Sequence, residues 1–145
     1  MIKRILFSFL LFQVAHAKDL TDYSQVLNSL KQGERLTLFL DWDTCEITNP
    51  NGGGTQANFM TSVTPDDFFI SKKGYILIHG ATAPSPVDWL PGRGLITQNY
   101  SYLLKKSGAL HVTTRFLNPT TNNELADPID ARCQLGNGFK IFSYQ

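Results

Sequence analysis

Cysteine is scarce and neither sign of charge prevails: the 145-residue chain has two cysteines, 13 Lys+Arg and 12 Asp+Glu, for a formal charge of +1. That balance excludes a nucleic-acid binder held by bulk charge. Cys45 and Cys133 form no C-x-x-C motif and have no histidine at ligand spacing, which speaks against a zinc ribbon or a thioredoxin-like redox site. There is no G-x-S-x-G elbow, and the run Gly52–Gly54 is not followed by Lys-Ser/Thr and a helix, so neither an α/β-hydrolase nucleophile nor a phosphate loop is supported. No fixed-period repeat and no low-complexity tract occurs. With 42% hydrophobic and 12% aromatic residues, the composition is that of a folded chain.

The longest charge-free apolar stretch, Ile5 to Ala15, is too short to cross a bilayer, which takes about 20 residues. It follows a basic Lys3-Arg4 start and precedes Ala15-His16-Ala17, the order of a secretory signal peptide with cleavage between Ala17 and Lys18. No cysteine follows closely enough for lipid attachment. The expectation is a leader over 1–17 and a single β-rich domain over 18–145, with 11 basic and 12 acidic residues left once Lys3 and Arg4 are removed. In an oxidising compartment the two cysteines are expected to pair as a disulfide, Cys45 with Cys133.

Thr21 to Gln32 has helical spacing in Tyr23, Leu27 and Leu30, with Thr21 as candidate N-cap and Gly33 as the stop. Strand patterns follow. Leu36, Leu38, Leu40 and Trp42 alternate, with Phe39 suggesting partial burial of the other face. Residues 49–54 read as loop and 58–63 as a weak strand. Phe68–Ser71 and Tyr75–His79 flank a Lys72-Lys73-Gly74 turn, and 83–94 is a Pro-rich loop around Trp89. Ile96–Leu104 and Leu110–Phe116 alternate, 118–128 is a polar loop, and 130–135 and 139–144 read as a hairpin across Gly136-Asn137-Gly138. The predicted fold is mainly β (α+β): one N-terminal helix packed on seven or eight antiparallel strands curled into a partly open barrel or sandwich.

Chemistry has few places to reside. Asp41 and Asp43 share a face if their strand continues, where two close carboxylates shift each other's pKa or hold a hard cation. His79 and His111 lie on separate strands, and the pattern assigns no catalytic and no metal-binding residues. Trp89 and Arg93 are the binding candidates, an aromatic and a cation on a loop that sheet packing does not dictate. Asn99-Tyr100-Ser101 is a glycosylation sequon, relevant only in a eukaryotic secretory pathway.

A leader, a helix ending Leu27-Asn28-Ser29-Leu30-Lys31-Gln32-Gly33, a strand closing on Asp41-Trp42-Asp43-Thr44-Cys45, and a C-terminal Arg132-Cys133-Gln134-Leu135-Gly136-Asn137-Gly138 together resemble the VirK family of small exported bacterial proteins. The resemblance implies a Gram-negative periplasmic or secreted protein linked to virulence or host interaction, and brings no reaction, cofactor or catalytic residue to transfer. The expectation is therefore a non-enzymatic exported binding protein without cofactor, whose partner is a protein, a glycan or a small ligand, with neither nucleic acid binding nor stable membrane insertion. Two rival readings are a small secreted hydrolase, possibly metal-dependent and using Asp41, Asp43, His79 or His111, and a periplasmic accessory factor of inhibitor or chaperone type.

Overall fold

A computed structural model describes residues 17–48, 60–65, 67–86 and 92–144. The expected leader stretch Ile5 to Ala15, the expected loop over 49–54 and Trp89 lie outside these residues. The described chain is mainly β with one helix, and its sheet curls into a half-barrel.

The elements are β1 (Lys18–Leu20), α1 (Tyr23–Lys31), β2 (Arg35–Asp41), a 3-10 turn (Trp42–Thr44), β3 (Glu46–Thr48), β4 (Met60–Val63), β5 (Asp67–Ile70), β6 (Tyr75–Ala81), β7 (Thr97–Lys105), β8 (Ala109–Leu117), β9 (Glu124–Leu135) and β10 (Gly138–Tyr144). The ten described strands exceed the expected seven or eight because three-residue strands, too short to show periodicity, pair on the sheet. One of them, β1, precedes the helix and pairs with β10. Its Leu20 is fully buried.

The helix starts one residue later than Thr21 suggests. Asp22 is the N-cap, its carboxylate accepting from Gln25 N at 3.0 Å, while the Gln25 side chain accepts from Thr21 N at 2.9 Å. The two bonds reciprocate across the first turn in the manner of a capping box. At the other end Gly33 takes φ +76, and Glu34 N→Ser29 O and Gly33 N→Leu30 O make a Schellman closure. Tyr23, Val26 and Leu30 project into the same core as the sheet.

The strand order is β4-β2-β10-β9-β8-β7-β6-β5, with β1 beside β10 and β3 beside β9. β4 and β5 are consecutive in the chain yet stand at opposite ends of that order, so the sheet stops short of closure. Alternation places Leu36, Leu38, Leu40, Ile76, Ile78, Tyr102, Leu104, Leu110 and Val112 on the inner face, all buried.

Two loop and turn expectations are corrected. The polar segment 118–128 is only partly a loop, since β9 begins at Glu124 and carries Pro128. Between the pairs Thr114↔Ile129 and Phe116↔Ala126, two residues of β9 oppose one of β8. Such a bulge is where a strand accommodates a residue without an N–H. The second correction concerns β9 and β10, which do not form a hairpin. They share only two parallel pairs, Gln134↔Gly138 and Leu135↔Phe139, and β10 then turns away to pair antiparallel with β2 over six residues. A type I′ hairpin on Asn137-Gly138 needs positive φ at both residues. Here the positive values fall on Gly136 (+85) and Gly138 (+77), and Asn137 is not among the positive-φ residues, so the chain makes a corner between two parts of the sheet.

Tyr100 and Tyr102 project inward from β7 with ring centroids 5.3 Å apart. Gly80, the cross-strand partner of Tyr100, leaves room for its ring: a Cβ there would collide with it. Burial, and secondarily the neighbouring Tyr100 phenol, push the Tyr102 phenol well above its ordinary pKa. The folded state thus favours the neutral phenol, whereas the unfolded chain ionises near pH 10. The Tyr102 contribution is complete below about pH 10 and is lost as pH rises beyond it, with a slope approaching about 1.4 kcal/mol per pH unit. Denaturant titrations from pH 8 to 11.5 are expected to show this extra slope in the wild type and its loss in Tyr102→Phe.

Candidate functional site

The Asp41–Cys45 segment is the densest polar cluster in the sequence, and its role in the structure is to turn the chain. β2 ends at Asp41, whose carboxylate accepts from Asp43 N at 3.2 Å, and the Thr44 hydroxyl donates to Asp41 O at 3.0 Å. The strand does not continue, so Asp41 and Asp43 do not stand as a carboxylate pair on one strand face. The short Asp41 side chain satisfies a backbone N–H instead, which is how aspartate competes with a β-ladder. The turn sends Trp42 into the core, where its Nε1 donates to Thr61 Oγ1 at 2.9 Å. It also carries Cys45 to Cys133: the sulfurs are bonded at 2.01 Å, with Cα atoms 4.7 Å apart. Gly138 lies against this junction, where a Cβ would strike Thr44 Oγ1 and come within 3.3 Å of Cys45 Sγ.

His79 and His111 both lie on the outer face, separated by β7. Cross-strand neighbours of His79 are Asp67 and Ser101. His111 Nε2 stands 3.6 Å from Asp130 Oδ1, the same oxygen that accepts the Thr113 hydroxyl at 2.6 Å. Asp130 was not singled out in the sequence, because its meeting with β8 depends on the register set beyond the bulge. Asp41 belongs to the other part of the sheet, so Asp41, Asp43, His79 and His111 do not gather in one cleft. Among the described residues no group of three His, Cys, Asp or Glu is placed to hold a metal ion.

Of the two loop candidates, Arg93 is exposed and Trp89 lies outside the described residues. The sequence reading missed a second aromatic surface, on the outer face of β2 and β10. Phe39 is 41% exposed rather than covered, and its ring meets Phe142 edge to face at 5.6 Å. Tyr144 and the 73% exposed Met60 of β4 extend the surface. Lys140 lies opposite Phe39, Asp19 opposite Phe142 and Arg35 opposite Tyr144, so charges of both signs border the rings. The available signal was Phe142 and Tyr144 alternating with the core positions Ile141 and Ser143.

Helix, half-barrel and disulfide corner define a small mainly-β protein whose sheet is covalently pinned where its two parts diverge. Residues 19–122 match the VirK protein family, and the chain belongs to that family. The fold is shared with the crystal structure of lpg1832, a VirK family protein from Legionella pneumophila, at a TM-score of 0.74 and 20% identity over 86% of this chain and 98% of that one. Among curated proteins no match was found.

Proposed function

We propose that this VirK family protein is an exported, non-enzymatic binding protein that meets a protein or glycan partner of the host or the cell envelope through the outer aromatic face of β2 and β10. The observation that carries this reading is Phe39: a large aromatic ring at the centre of a strand, turned to solvent, set edge to face with Phe142 and flanked across the strand by Lys140. Aromatic and Arg side chains dominate binding anchors because they bring large apolar area together with a polar or charged contact. Exposed apolar patches rimmed by polar residues are one of the marks of a contact surface on folded domains. The Cys45–Cys133 bridge suits an oxidising compartment, and the leader over 1–17 supplies the route there. Arg93, and with it Trp89, belongs to the reading as a second contact point.

The test places a photo-reactive benzophenone side chain at position 39, in protein recovered from the periplasm with Lys18 as its first residue. Illumination in the presence of host or envelope extracts is expected to give one discrete adduct. The same group at Asn99, exposed on β7, is expected to give none. Adducts from both positions or from neither, or recovery only of unprocessed cytoplasmic protein, would overturn the proposal.

A further inference from the structure

The β5–β6 and β7–β8 turns reach the same end of the sheet, because Tyr75 at the start of β6 pairs with Lys105 at the end of β7. Each turn carries two consecutive lysines, Lys72-Lys73 and Lys105-Lys106, and all four are exposed. The turns touch, the stem of Lys106 lying where a Cβ at Gly74 would fall. The ion pairs among the described residues, His111–Asp130 and Arg115–Glu124, engage none of the four. Four of the chain's 13 basic residues therefore stand on two adjoining turns of a nearly neutral protein, a local positive field with no ion-pair partner among the described residues.

The surface behind these lysines is apolar. Phe69, Leu77 and Leu103 are cross-strand neighbours on the outer face of β5, β6 and β7, two residues back from Ser71, Tyr75 and Lys105. Phe69 is 56% exposed, and β5 is an edge of the sheet, with no further described strand beyond it. A soluble polyanion would engage the lysines and leave Phe69 in water. An anionic bilayer engages both, with ammonium groups among the phosphates and the aromatic at the boundary between headgroups and acyl chains.

We propose that this end of the sheet is a peripheral contact site for an anionic phospholipid surface, with Lys72, Lys73, Lys105 and Lys106 held by headgroup phosphates and Phe69 seated in the interface. The site is separate from the β2–β10 face and does not depend on a partner binding there.

The test is flotation of the protein, in the form recovered from cells, with vesicles of phosphatidylglycerol and phosphatidylethanolamine, against vesicles of phosphatidylcholine alone. The wild type is expected to float with the anionic vesicles only and to be released by 0.5 M salt, a concentration of about the order that shortens electrostatic reach to a few ångströms. The double variant Lys73→Gln/Lys106→Gln is expected to lower partition about thirtyfold, two surface cations being lost. Both residues are exposed, and an unchanged melting temperature shows that the variant is folded. Phe69→Ser is expected to weaken vesicle binding while leaving retention on dextran sulfate unchanged. Equal flotation with neutral vesicles, no flotation at all, or binding to dextran sulfate or duplex DNA without vesicle association would each overturn the proposal, the last reassigning the lysines to a soluble polyanion.

Discussion

Cys45→Ser and Cys133→Ser are each expected to lower the unfolding free energy by about 4 kcal/mol, and by nearly equal amounts. The two cysteines are 88 residues apart, and a cross-link closing so long a loop removes much of the freedom of the unfolded chain. Its placement also matters in the folded state, because it joins the turn after β2 to β9 just before β10 swings away. Urea denaturation checks this: the wild type in excess reductant should fall to the stability of the serine variants, which should themselves be insensitive to reductant. The variants should also show a larger dependence on urea, since an uncross-linked unfolded chain exposes more surface. Alkylation under non-reducing conditions that labels two thiols in protein from the periplasm would show that the bridge is not formed there.

Phe139→Ala is expected to cost about 3–5 kcal/mol, the range for deleting a buried aromatic ring. Phe139 is 1% exposed, pairs with Leu40 of β2 on one side and with Leu135 of β9 on the other, and thus fills the corner where the two parts of the sheet meet. Phe142→Ala, three residues on but facing outward beside Phe39, should cost far less, since its ring is only partly withdrawn from water. The contrast between the two phenylalanines of one strand, read by denaturant titration, tests the assignment of inner and outer faces. Against the total of about 5–15 kcal/mol that stabilises an ordinary domain, the disulfide and Phe139 are both large contributions. Cys45 packs on Gly138, next to Phe139, so combining the two changes should depart from additivity.

Strand alternation was legible wherever one face is buried. Leu36, Leu38 and Leu40 lie inside as their spacing demands, and the Lys72-Lys73-Gly74 turn joins β5 to β6 with Gly74 at φ +87. Cys133 faces the core with Ala131 and Leu135, as alternation along β9 requires. What the sequence did not show depends on contacts between distant segments. β1 is three residues long and carries no pattern of its own, being strand only because β10 offers it a ladder. Gly136-Asn137-Gly138 has the local chemistry of a hairpin, but β2 and β1 compete for β10 and the chain turns a corner instead. At the candidate site, Phe39 was visible as an off-pattern aromatic, while its partner Phe142 arrives from more than a hundred residues away. Lys72-Lys73 reads on its own as part of a turn, and only the Tyr75↔Lys105 register brings it beside Lys105-Lys106.

The position of β10 also bears on when the protein can fold. This strand is flanked by β1, β2 and β9 and contributes Phe139 and Ile141 to the core, yet it follows all three in the chain. Contacts so distant in sequence form late, because their loop entropy must be overcome before burial compensates it. A chain lacking residues 138–144 leaves β1 with no described neighbour and the inner ends of β2 and β9 unjoined. During synthesis, then, β5 to β9 can pair one after another as they emerge, whereas β1 gains its ladder, and β2 its second one, only once β10 has been delivered. The last described strand is thus the one that completes the sheet around the disulfide corner.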